Sequence, residues 1–167
     1  MSTRGRTLLG HSTSVAVSLA LVLFTSPLGA QNPKTDLTLA GATITFPAPT
    51  AADYVNGYVN SSTGVTFTVD ATTGNQSHTT TILIRATSAN LGGGKVIGDL
   101  QWRRSDLATW NGITGTDVQV EQRVQVRNGA NDPWTNTIFF RMLLSWTSDA
   151  PATYSANYQI TLSQTVP

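Results

Sequence analysis

The chain has 167 residues, of which 40% are hydrophobic and 11% charged, with a formal net charge of +1 and no cysteine. The lack of cysteine excludes disulfides, thiol catalysis and cysteine-held zinc. Arg4 and Arg6 supply the excess charge; after residue 30 eight basic and nine acidic residues remain, a net charge of −1, which removes the electrostatic basis for nucleic-acid binding and for a polybasic membrane anchor.

Residues 1–30 have the order of a secretory signal peptide. Arg4 and Arg6 stand without acidic neighbours, residues 15–24 form a short apolar run, and Pro27-Leu-Gly-Ala30 ends it on small residues. The run falls short of the roughly 20 apolar residues that span a bilayer. The expected mature chain starts near Gln31, is secreted or displayed at the cell surface, and has no membrane span once the signal is removed. Residues 31–167 form one domain, long enough to bury its own core.

Thr, Ser, Asn, Gln and Gly dominate the polar positions while Lys and Glu are scarce, which favours strands and turns over helices. Residues 36–46 carry Leu37 and Leu39, then Ile44 and Phe46 beyond Gly41, and read as a first strand. Residues 53–60 allow a further short strand. Residues 64–70 alternate through Val65, Phe67 and Val69; residues 79–87 carry Ile82, Leu83 and Ile84; residues 99–104 carry Leu100 and Trp102.

The clearest period of two runs over residues 117–127, with Val118, Val120, Val124 and Val126 on one face and Gln119, Glu121, Arg123, Gln125 and Arg127 on the other. Residues 137–146 align Ile138, Phe140, Met142, Leu144 and Trp146, with Phe139 and Leu143 opposite, as in a central strand covered on both sides. Residues 153–163 align Tyr154, Ala156, Tyr158, Ile160 and Leu162. Turn signals such as Pro47-Ala-Pro49, Asn56-Gly57, Gly92-Gly-Gly94, Asn111-Gly112 and Asn128-Gly129 separate these runs. The pattern predicts an all-β fold, an antiparallel immunoglobulin-like β-sandwich of about 7–9 strands.

Chemistry-bearing residues are few. Glu121 and His78 are the lone Glu and His after residue 30, and both read as solvated surface residues rather than an acid–base pair, since an enzyme needs converging groups. Gly92-Gly-Gly-Lys95 fails as a phosphate loop, because neither a hydroxyl residue nor a helix follows the lysine. Asn128-Gly-Ala-Asn-Asp132 offers calcium-type oxygens but matches no EF-hand spacing, and turn chemistry explains it. No catalytic residue, metal or cofactor is therefore assigned.

Trp110 and Trp134 lie beside turns and are the candidate ligand-stacking residues, against the plainer reading that they cap the core. Trp146, in phase with apolar neighbours, reads as core, and Tyr154 as a tyrosine corner pinning the start of the last strand.

Four stretches, Asp99-Leu-Gln-Trp-Arg103, Arg141-Met-Leu-Leu-Ser-Trp146, Asp149-Ala-Pro-Ala-Thr-Tyr-Ser155 and Asn157-Tyr-Gln-Ile-Thr-Leu162, resemble small exported bacterial immunoglobulin-like β-sandwiches, including surface proteins and fimbrial-subunit-like domains. The resemblance implies a surface or fibre role and no catalytic residue. The chain departs from chaperone–usher pilins in lacking their disulfide.

The function expected is that of a non-enzymatic structural protein, a subunit of a surface fibre, pilus-like filament or surface layer that self-associates into a homo-oligomer or filament. The segment with Leu37, Leu39, Gly41, Ile44 and Phe46 is the candidate donor strand for a neighbouring subunit; its competing reading is an ordinary first strand paired at home. The alternative function is a secreted or surface-attached carbohydrate-binding or adhesin module with a glycan as partner.

Overall fold

A computed structural model describes residues 35–41, 43–71, 76–126, 133–149, 154 and 156–166. Residues 1–30, expected to be a signal peptide, and the candidate calcium loop at residues 128–132 lie outside the described residues.

The fold is mostly antiparallel β, arranged in two sheets around one core. Its strands are β1 (Thr35–Ala40), β2 (Tyr58–Asn60), β3 (Val65–Ala71), β4 (His78–Ala86), β5 (Asn90–Gly92), β6 (Lys95–Val96), β7 (Leu100–Arg104), β8 (Asn111–Gly112), β9 (Val118–Gln125), β10 (Trp134–Leu143) and β11 (Tyr158–Thr165). The first sheet runs β1-β3-β10-β7-β8, with β2 also paired to β10. The second runs β11-β4-β9, and β5 and β6 form a small separate hairpin. Since β3 pairs with Trp134–Ile138 and β2 with Arg141–Leu143 of β10, the two share one flank of that strand.

Alternation explains the core. On β10, Ile138, Phe140 and Met142 are fully buried, and on β4 Ile82 and Ile84 are too; each such side chain contributes about 1.5–3 kcal/mol by leaving water. Val65, Phe67 and Val69 of β3 and Ile160 of β11 complete the centre. Phe140 from the first sheet meets Tyr158 from the second with ring centroids 5.2 Å apart. Outside the core, directly paired threonines bond through their hydroxyls, Thr66 to Thr137 at 2.9 Å and Thr68 to Thr135 at 3.0 Å, the kind of cross-strand pair that fixes register.

Four expectations need correction. Residues 51–56 form a helix, α1 (Ala51–Asn56), because Thr50 and Asp53 make a reciprocal capping box and Gly57 closes the end at φ 78°. The first strand stops at Ala40, where Gly41 turns at φ 69°.

Trp146 is 61% exposed, since β10 ends at Leu143 and the chain turns before the indole can join the inward face; the ring instead stacks on Tyr54, with centroids 4.7 Å apart. The phase of β9 changes midway: its register against β4 shifts between Ile82, opposite Glu121, and Leu83, opposite Gln119. Val120 is the extra residue of this β-bulge, and a bulge reverses which residues face inward. Glu121 and Gln125 are consequently buried while Val124 is 67% exposed.

Candidate functional site

Glu121, expected in solvent, is 7% exposed. Its carboxylate takes a 2.9 Å bond from Arg123 Nε and lies 3.6 Å from Arg104 Nη1, and Asn136 Nδ2 donates to it at 3.3 Å. Arg104 also bonds Asp106 and donates to the Val120 carbonyl at 3.1 Å. Hydrogen bonds from Arg104 outweigh burial and hold the Asp106 carboxyl far below the usual carboxylate range. Since β9 belongs to the second sheet and Arg104 and Asn136 to β7 and β10 of the first, this network ties the sheets together.

His78, also expected at the surface, is completely buried at the start of β4. Burial pushes its imidazole below the ordinary value of 6.5, opposed in part by a Gln76 backbone bond. Lys95 of the triple-glycine hairpin is buried as well and pairs with Asp149 at 2.5 Å. The hairpin therefore serves to bring a cation to an internal acid.

The two candidate stacking residues part company. Trp134 is 5% exposed, in phase with Ile138 and Phe140 and covered by Arg123, whose guanidinium lies 4.9 Å from the ring centroid. Its ring is thus a core element. Trp110 is half-buried, immediately before β8, on the outer face of the first sheet. It stands within a group drawn from β2, β7 and β10: Arg141 lies 4.5 Å from the Trp110 ring and 4.8 Å from that of Tyr58, while Arg103 lies 5.2 Å from Trp110 and 5.3 Å from Phe139.

Register assembles this group. Phe139 pairs with Arg103, Arg141 with Gln101 on one side and with Asn60 on the other, so all of them point away from the core. Beside them is a cleft of about 240 Å³ lined by Asn60, Ser61, Arg103, Trp110, Phe139 and Phe140.

Side-chain bonds hold both cations in place. Arg141 Nε donates to Gln101 Oε1 at 2.7 Å, and Arg103 Nη1 donates to the Leu107 carbonyl at 2.9 Å. Among the described arginines, Arg85, Arg104 and Arg123 each have a carboxylate partner, and Arg103 and Arg141 have none. Sequence reasoning singled out Trp110 but missed Tyr58, Asn60, Arg103 and Arg141. The usable signal was the placement of two arginines at outward positions of two neighbouring strands.

The candidate donor segment is docked at home. Residues Thr35 to Ala40 pair antiparallel with Ala71 to Thr66, setting Leu37 opposite Val69 and Leu39 opposite Phe67. Leu37 and Phe46 are buried, and Leu39 and Ile44 are partly buried against the core. No helix among the described residues is long and apolar enough to cross a membrane. No family model matches the chain, and no curated protein matches it.

Proposed function

We propose that the protein is a non-enzymatic, immunoglobulin-like extracellular subunit, exported after removal of residues 1–30, which self-associates into a surface fibre or layer by strand exchange. The observation that carries this reading is the position of β1. It is an edge strand built from the first described residues, held on one side by β3. Backbone pairing is indifferent to which copy supplies the strand, so a neighbour's residues 35–40 can replace the home strand without loss of hydrogen bonds. Leu37 and Phe46 supply the side chains that enter the receiving core. The engagement of Glu121, Asp106 and Asp149 with cations favours a structural role over catalysis.

Sizing and negative-stain microscopy of the purified chain beginning at Gln31 test the reading. Regular fibres or closed oligomers are expected, disrupted by deleting residues 31–40; a peptide of residues 31–46 should restore the stability of the shortened chain but leave it monomeric, because it fills the groove without linking two subunits. Monomers throughout, with stability unaffected by the deletion, sink it. A second reading, a carbohydrate-binding or adhesin module, is favoured by the half-exposed Trp110 beside its cleft; binding to a glycan array that Trp110→Ala abolishes supports it.

A further inference from the structure

We propose that the cleft beside Trp110 binds the carboxylate of an acidic saccharide, with Arg103 and Arg141 as the anion-binding residues. The inference deepens the carbohydrate reading of this site, and rests on it. Arg103 lines the cleft and Arg141 lies at its edge, 4.5 Å from the ring of the cleft residue Trp110. Neither guanidinium has a carboxylate partner, in a protein whose other described arginines are all paired with acids. Each uses only part of its donor set internally, Nε of Arg141 on Gln101 and Nη1 of Arg103 on backbone carbonyls. A guanidinium carries five N–H donors in a planar fork, so both retain donors for an incoming anion.

The aromatic neighbours give these donors a fixed aim. Tyr58 and Trp110 flank the Arg141 guanidinium, and Trp110 and Phe139 that of Arg103. Guanidinium groups placed against rings lose less freedom on binding than mobile surface lysines do. The rest of the cleft suits a sugar. Its volume of about 240 Å³ lies below that of pockets for drug-sized ligands and fits a single ring or a chain terminus. Asn60 offers both a donor and an acceptor for ring hydroxyls, and the half-buried indole of Trp110 offers an apolar wall. A hydroxylated ring with one carboxylate meets all of these groups, whereas an acidic peptide meets only the charges.

Calorimetric titration with a galacturonate hexamer is the test, run beside its fully methyl-esterified form, which keeps the sugar rings and removes the charge, and beside a glutamate hexapeptide. Binding of the acid form is expected, weakened at least tenfold by esterification and by roughly tenfold or more in Arg141→Gln or Arg103→Gln, and weakened by added salt. Thermal unfolding of each variant establishes that it is folded. The comparison of acid and ester on the unaltered protein stands even if a variant does not fold. Equal binding of acid and ester overturns the anion site and leaves the carbohydrate reading intact. Failure of both saccharides overturns the two together for this class of sugar. Equal or tighter binding of the hexapeptide overturns the saccharide assignment.

Discussion

Lys95 Nζ lies 2.5 Å from Asp149 Oδ2, and neither side chain is more than 4% exposed. The lysine comes from the β5–β6 hairpin and the acid from the turn after β10, so the pair joins two loops that share no strand ladder. Burial alone raises the Asp149 carboxyl, but the bonds from Lys95 and the Ser145 amide overcome it and leave the group below its ordinary value of 3.8. A buried charge stripped of its partner is costly. Lys95→Ala should therefore lose about 3–5 kcal/mol of stability, read from the urea midpoint. Because the folded-state value is depressed, the stability contributed by the ionised carboxylate is present above pH 3.8 and lost as pH falls below it; Asp149→Asn should remove that component of the acid transition.

The bulge at Val120 makes opposite predictions for residues that the sequence pattern places on one face. Val124 is 67% exposed and Val120 is 6% exposed. Val124→Thr should change stability by less than about 0.5 kcal/mol. Val120→Thr puts a hydroxyl into the core and should cost roughly 1–3 kcal/mol. Equal effects in chemical denaturation contradict the phase change.

That contrast shows how the fold was legible and where legibility ended. The strand β3, with an unbroken period of two, was readable because burial on one face dictates alternation, while β4 and β10 were readable as apolar runs bounded by turn signals. A bulge adds one residue without changing composition, so nothing in Val118-Gln-Val-Glu-Gln-Arg-Val-Gln125 announced the reversal that buries Glu121. The helix α1 was announced, by Thr50 and Asp53 three residues apart, but its six residues are too few for a helical period. Of the candidate site, Trp110 was visible as a turn-side aromatic. Its partners depend on the pairing of β10 with β7 and β2, a long-range register that local spacing does not encode.

His78 makes stability depend on pH near neutrality. Burial holds its imidazole below the ordinary 6.5, so the unfolded chain binds a proton more readily than the folded one. Stability is then complete above pH 6.5 and declines as pH falls below it, until the folded-state group itself protonates. Urea midpoints measured from pH 8 to pH 5 should fall in the unaltered protein. The same series in His78→Leu should be nearly flat over this window, well above the separate loss attached to Asp149. An identical decline in both proteins contradicts the assignment.

Gly41 controls how β1 leaves its home sheet. Its φ of 69° is a left-handed conformation that side chains disfavour, and an added Cβ would stand 2.9 Å from the Gly64 carbonyl oxygen. Gly41→Ala should therefore cost about 1–3 kcal/mol. Much of that strain should be released by detaching β1 alone, since β1 pairs only with β3 while β3 keeps β10. Hydrogen exchange should quicken at the β1 amides that bond β3, and at their partners, more than in β4 or β10. A uniform increase across both sheets would mean that β1 cannot separate from the rest of the fold, and would weigh against strand exchange.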